Sequence, residues 1–319
     1  MKILAIQNRM GIGDTVIFLP YIKAISQKFN SPISLLVKES SKADQYLDET
    51  DYINDIIILD RNKESEGKHD GILGSLNLIK ELKKYKFDKV FIFNSSLRFN
   101  LIAKLSKIPI IFQYPLFKKT GQHVTETPKK LLFEKFALKV NNDPKIYTDK
   151  KHTSEMLERY NINKNKINIL LGIGGSGPTK RVPPEIFIEL IKLCKEKYDC
   201  QFLLATGNQE EEQVILNEIL KFDENDCIPL DKLSIYETLP LIKSCNISIC
   251  NDSSFSHLSS ALNVPTIVLM CDTPLLYGNY SSIMFPVLPE GYSDVTHGTN
   301  GKEKISPMTI FEKIKSIIK

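Results

Sequence analysis

The chain has 319 residues, 42% hydrophobic and 25% charged, which is enough for two domains with substantial cores. Its 42 Lys+Arg against 38 Asp+Glu leave a formal charge of +4, too small a surplus to indicate a nucleic-acid partner without a concentrated basic patch. The apolar run after Met1-Lys2 stops at Gln7, too short for a signal-peptide core, and no later stretch approaches the roughly 18 apolar residues of a membrane span, so the expected location is cytoplasmic. The cysteines, Cys194, Cys200, Cys227, Cys245, Cys250 and Cys271, fall in the second half without a Cys-x-x-Cys pair, which argues against a zinc site and a disulfide framework.

In chain order, apolar runs predict strands near 2–6, 33–37, 55–59 and 88–93, alternating with helices near 15–29, 71–85, 97–106 and 127–139. A polar, glycine-bearing loop lies between 60 and 71. Asn141-Asn142-Asp143-Pro144 breaks the pattern, and a charged stretch to Lys166 holds one helix near 151–159. A second series follows, with strands near 167–172, 201–205, 246–250 and 265–270 and helices near 184–197, 209–221, 234–244 and 254–262. Helical spacing returns from Pro307 to Lys319. Strands alternating with helices in two series predict an α/β chain with two parallel sheets, each Rossmann-like, facing across a cleft. We place the boundary at 160, giving domains 1–160 and 161–319.

Three segments carry chemistry. The loop Asn8-Arg9-Met10-Gly11-Ile12-Gly13-Asp14 joins the first strand to its helix, where ligands of open parallel sheets collect, and Asp14 is either a helix cap or a functional carboxylate. Its glycines do not match a dinucleotide fingerprint or a phosphate loop. The loop Gly172-Ile173-Gly174-Gly175-Ser176-Gly177-Pro178-Thr179-Lys180-Arg181 combines glycines, which let a backbone approach phosphate, with a compact cation. It also reads as a flexible turn with two solvated basic residues. The turn Asn251-Asp252-Ser253-Ser254-Phe255-Ser256-His257 opens a short helix whose N-terminus favours an anion, although Asp252 or Ser253 could simply cap it.

Taken together, the Gly13-Asp14 loop followed by Leu19-Pro20, Lys180 ahead of the early-helix Pro183, and Asp252-Ser253-x-x-Ser256-His257-Leu258 resemble the heptosyltransferase family of bacterial glycosyltransferases, in order and spacing across most of the chain. The resemblance implies a GT-B architecture with an N-terminal acceptor-binding domain, a C-terminal donor-binding domain, and a terminal helix 307–319 packing back on the first domain. It implies an inverting transferase that moves a sugar, as in ADP-heptose, from a nucleotide-diphosphate donor to a lipopolysaccharide-core or other cell-envelope glycan, a glycolipid or oligosaccharide. The nucleotide sugar is a co-substrate, and no cofactor or nucleic acid is implied. Alternatives are a catalytically degenerate nucleotide-sugar-binding assembly protein and a nucleotide-sugar epimerase or hydrolase on the same fold.

By this resemblance Asp14 is the base for the acceptor hydroxyl, and Lys180 stabilises charge on the departing diphosphate. Donor contacts fall on Gly175, Ser176, Lys180, Glu211, Leu233, Asp252, Ser253, Ser254 and His257. Glu211 would take the ribose hydroxyls, with a slip of one residue open among Glu210, Glu211 and Glu212. Arg9, Arg61, Arg98 and His123 are candidate acceptor contacts in first-domain loops, equally well explained as surface. The chain has no Asp-x-Asp pair, so no metal is expected. Lysine pairs Lys118-Lys119 and Lys129-Lys130 fit either peripheral contact with the inner face of the cytoplasmic membrane or solvated surface. Three departures from the family stand out: Ser254 replaces a glycine, Cys271-Asp272-Thr273-Pro274 is a shortened segment, and Ile17 stands where many members carry histidine.

Overall fold

The computed structural model describes residues 1–61, 67–117 and 122–318; Lys118-Lys119 and part of the loop between 60 and 71 lie outside them. Contacts divide the chain into two compact units, Met1–Pro144 and Lys145–Lys319.

The first unit runs β1 (Ile3–Ile6), α1 (Ile12–Phe29), β2 (Ile33–Lys38), β3 (Ile53–Leu59), α2 (Gly71–Tyr85), β4 (Lys89–Ile92), α3 (Leu97–Leu105), β5 (Ile110–Gln113) and α4 (Glu126–Phe136). Its sheet has the order β3-β2-β1-β4-β5, and every pairing is parallel. The central strand β1 is buried along its whole length, as an unbroken apolar run in a two-sided parallel sheet must be. Leu78, Ile79 and Leu82 of α2 and Phe99, Ile102 and Ala103 of α3 share one cluster with Leu4 and Ile6 of β1, so both helices cover the same face of the sheet.

The second unit runs α5 (Lys150–Arg159), β6 (Ile167–Gly172), α6 (Pro184–Lys197), β7 (Cys200–Ala205), α7 (Glu210–Phe222), β8 (Cys227–Pro229), α8 (Ile235–Lys243), β9 (Ile247–Asn251), α9 (Ser254–Ala261), β10 (Thr266–Leu269), β11 (Met284–Val287) and α10 (Pro307–Ile317). Its parallel sheet has the order β11-β10-β9-β6-β7-β8. A Cβ on Gly172 would come within 2.6 Å of the Cys250 Sγ, so the β6–β9 seam requires glycine there. All six cysteines are buried and none is in a disulfide.

Three strands escaped the sequence patterns: β5, β8 and β11. Each is an edge strand, and β8 and β11 contain Pro229 and Pro286, which edge positions tolerate. The units meet earlier in the chain than residue 160, because α5 packs on α8 of the second unit and Ile146 N–H donates to Ala261 C=O. The terminal helix belongs to the second unit. Ile310, Phe311 and Ile314 of α10 join the core of the second unit, and α10 packs on α6. Burial of roughly 1.5–3 kcal/mol per large aliphatic or aromatic side chain holds it there. No helix among the described residues is long and apolar enough to cross a membrane.

Candidate active site

In the second sheet the chain proceeds outward from β6 to β7 and β8, then returns to place β9 on the other side of β6. Strands β6 and β9 therefore flank the switch point, the crevice where open α/β sheets hold ligands. The loop after β6 carries Lys180, and the turn after β9 carries Asp252. Their side chains meet across the switch point, Lys180 Nζ to Asp252 Oδ2, at 2.9 Å. Asp252 is 5% exposed. Burial, the largest influence, would raise its pKa, but the Lys180 ammonium together with the other polar neighbours outweighs it and holds the carboxyl below its ordinary value.

The glycine loop is tied down on all sides. Asn251, fully buried at the end of β9, donates through Nδ2 to Ile173 C=O at 2.7 Å and to Gly174 C=O at 3.3 Å. Gly175 N–H donates to Glu212 Oε1 at 2.9 Å, and Gly175 C=O accepts from Arg181 Nε at 2.9 Å. The Arg181 guanidinium also bonds Glu211 and Gln209. A Cβ on Gly174 would lie 2.6 Å from Glu212 Oε1, so the loop can approach this carboxylate only as glycine. From the far side, Lys302 Nζ donates to Pro178 C=O at 3.0 Å.

These bonds redistribute the sequence candidates. Gly175 spends both backbone groups within the protein, so a phosphate contact through its N–H is replaced by the Glu212 bond. Ser176 is exposed at the loop tip. Of the consecutive glutamates, Glu212 is buried and occupied, whereas Glu211 is 68% exposed with Arg181 as its partner. Leu233 is half-buried in the turn before α8. Ser253 sits at the N-cap of α9 but makes no side-chain cap bond, and its Oγ is buried without a hydrogen-bond partner. The hydroxyl is a donor left over for another acceptor. Ser254 is half-buried in the first turn of α9. His257 is buried, its Nδ1 lying 2.9 Å from the Tyr280 hydroxyl, and burial draws its pKa from the usual 6.5 down to about 4. It is a neutral imidazole at pH 7 and so supplies no positive charge.

In the first unit the same topology recurs. β1 and β4 flank the switch point, and Asn94 Nδ2 donates to Asn8 Oδ1 at 2.9 Å across it. Asp14 lies in the first turn of α1, which begins at Ile12 with Gly11 as its N-cap, so the expected cap role is not what places it. Its side chain is 24% exposed, with Arg9 Nη1 at 3.8 Å, and Gln7 Nε2 donates to its backbone carbonyl at 2.9 Å. The other basic candidates have structural partners. Arg61 pairs with Asp70 at 3.0 Å. Arg98 donates to Ser75 Oγ at 2.9 Å and to His69 C=O. His123 Nδ1 accepts from Thr125 N–H and Glu126 N–H at 3.3 Å, holding the start of α4.

Sequence reasoning missed Asn251, Arg181 and Glu212 as the clamps of the glycine loop. Glu212 had a readable signal, since it stands three residues after the N-cap Gln209 and accepts from the Gln209 N–H at 3.4 Å. Among the described residues no group of three or more His, Cys, Asp or Glu could hold a metal ion.

The sequence profile of glycosyltransferase family 9 (heptosyltransferase) matches residues 75–282. The chain belongs to that family. It is 32% identical over 152 residues to lipopolysaccharide heptosyltransferase 1 of Campylobacter coli, a match that takes in 46% of this chain and only 42% of that protein. The solved glycosyl transferase family 9 protein of Veillonella parvula shares its fold with a TM-score of 0.81, at 17% identity over 99% of this chain and 96% of that one. The E. coli heptosyltransferase WaaC, solved with ADP, gives a TM-score of 0.73 at 14% identity, covering 99% of each chain. Two Rossmann-like parallel-sheet units are thus the fold of this glycosyltransferase family member.

Proposed function

We infer that the chain is an inverting, metal-independent heptosyltransferase, using ADP-heptose as donor and a lipopolysaccharide-core or related envelope glycan as acceptor on the cytoplasmic side of the envelope. The observation that carries this reading is the Lys180–Asp252 pair at the switch point of a family 9 fold. Asp14 in the first unit takes the proton of the acceptor hydroxyl as its oxygen attacks the anomeric carbon. The bond from that carbon to the diphosphate breaks, and ADP leaves with its new charge against Lys180. Asp252 is buried and bonded to Lys180, so its part is to aim the ammonium rather than to touch phosphate. The Ser253 hydroxyl, without a partner, is suited to a phosphate oxygen. Glu212 is occupied by Gly175, which leaves Glu211 the carboxylate with accessible oxygens for a ribose. Family membership favours transfer over an epimerase, a hydrolase or a binding protein.

A thermal-shift panel with ADP, UDP, GDP, CDP and TDP in EDTA tests the donor. A ligand specific for the folded state adds about 2.7 kcal/mol at 100 times its Kd, and only ADP is expected to do so. Transfer from ADP-heptose should then fall roughly 10²–10⁴-fold in Asp14→Asn while the ADP shift persists. An ADP shift in the wild type without turnover on any acceptor would instead favour the binding-protein reading.

A further inference from the structure

Helices α2 and α3 cover the same face of the first sheet and both return across it between parallel strands, so they run in the same direction side by side. Arg98 on α3 donates to Ser75 on α2, fixing their first turns together. The outward sides of both helices carry apolar residues. Ile72, Leu73 and Leu76 on α2 and Leu97, Leu101 and Leu105 on α3 are between 41% and 84% exposed. Their spacing of three and four residues puts each set on one helix stripe. Scattered exposed leucines are ordinary, but six on two adjoining helices form a patch that water does not favour.

The charge at the exposed positions of these two helices has a single sign. Further along the α2 stripe come exposed Lys80, Lys83 and Lys84, and on α3 exposed Lys104 lies between Leu101 and Leu105. The only acidic residue in either helix is Glu81, and it is turned to Lys68 at 2.8 Å and His69 at 3.2 Å. Over the about 22 Å of α2, therefore, the outer face passes from aliphatic to cationic with no carboxylate on it. Protein interfaces favour aromatic residues and arginine and avoid lysine, and the exposed positions of these two helices hold neither of the former. Aliphatic side chains with snorkelling lysines match the boundary between acyl chains and anionic headgroups.

We propose that the outer face of α2 and α3 docks this chain on an anionic lipid bilayer, with the exposed aliphatic side chains inserted among acyl chains and the lysines at the phosphate level. The proposal goes beyond the transferase reading and does not depend on it.

The test is co-sedimentation of the full chain with vesicles of phosphatidylethanolamine and phosphatidylglycerol, against vesicles of phosphatidylcholine alone, neither carrying glycan or nucleotide. Wild type should pellet with the anionic vesicles and be released by salt. Leu73→Gln with Leu101→Gln should weaken partition about tenfold or more. Lys80→Glu with Lys83→Glu should weaken it by roughly fivefold or more per site. Val214→Gln, at an exposed apolar position on α7, should change nothing. Circular dichroism confirms that each variant is folded. The proposal fails if wild type stays in the supernatant, or if folded α2 and α3 variants pellet like wild type. It also fails if light scattering shows a wild-type dimer that Leu73→Gln with Leu101→Gln splits, since a second copy would then cover the face.

Discussion

Replacing Lys180 by methionine keeps the aliphatic stem of the side chain and removes its charge. What it leaves behind is Asp252, a carboxylate 5% exposed that has lost its partner at 2.9 Å. Stranding one member of a fully buried ion pair costs about 3–5 kcal/mol, and because Lys180 itself is 23% exposed, water can reach part of the gap, so we expect roughly 2–3 kcal/mol. For a unit of this size each kcal/mol moves the melting point by roughly 2–4 °C, which puts the fall at about 4–12 °C. Asp252→Asn in the same background removes the stranded charge and should recover most of the loss. The pH dependence has a definite sign. Burial raises the Asp252 pKa and Lys180 is the first group holding it down, so without Lys180 the carboxyl takes up a proton at higher pH and the destabilisation shrinks as pH falls. Thermal unfolding followed by circular dichroism compares the wild type and both variants, with ADP binding measured beside it. If Lys180→Met melts like wild type, or if adding Asp252→Asn recovers nothing, the pair is not what orders this turn. If ADP binds Lys180→Met as tightly as wild type, Lys180 is not the phosphate cation.

The neighbouring glutamates should separate cleanly. Glu212→Gln weakens the bond that holds Gly175 N–H, so it should lower stability by about 1–3 kcal/mol, whereas Glu211→Gln at an exposed site should leave the melting point within about 0.5 kcal/mol and weaken ADP binding instead; equal effects on both readouts would sink the division of roles. His257 gives the protein an acid-side stability slope. Its folded pKa of about 4 lies below the ordinary 6.5, so between those values the unfolded chain binds a proton that the fold refuses, and stability rises with pH through that window, by up to about 3 kcal/mol. Urea titrations across the window, repeated for His257→Gln, should show the slope in wild type and its loss in the variant.

How much of this was legible in the sequence follows from where each signal resides. The two parallel sheets could be read because central strands such as β1, β6 and β9 are buried on both faces and leave unbroken apolar runs. The edge strands β5, β8 and β11 are three or four residues long and largely half-buried or exposed, and prolines interrupt β8 and β11. Lys180 and Asp252 could be named from their positions after β6 and β9, but their mutual bond is set by strand order, which places β9 against β6 only after the chain has passed through β7 and β8. Arg181 was invisible as a clamp because a basic residue beside a glycine loop looks the same in sequence whether it faces solvent or the loop. Its 5% exposure decides the matter, and its partners Gln209 and Glu211 lie about thirty residues on, at the start of α7.

The same contrast sorts the charged residues of this site into scaffold and chemistry. Arg181 bonds Gly175, Gln209 and Glu211, and Glu212 bonds Gly175 and Gln209, so neither can turn toward a ligand without dismantling the loop. Among the described residues the Lys180 side chain has one hydrogen-bond partner, and that partner is a carboxylate that draws an ammonium without using all of its donors. An ammonium has three N–H bonds to give, so a diphosphate can be received while Asp252 keeps its hold. In the proposed transfer, Asp252 fixes the position of Lys180 before the leaving group develops its charge, which is the condition for electrostatic stabilisation to act without reorganising the site.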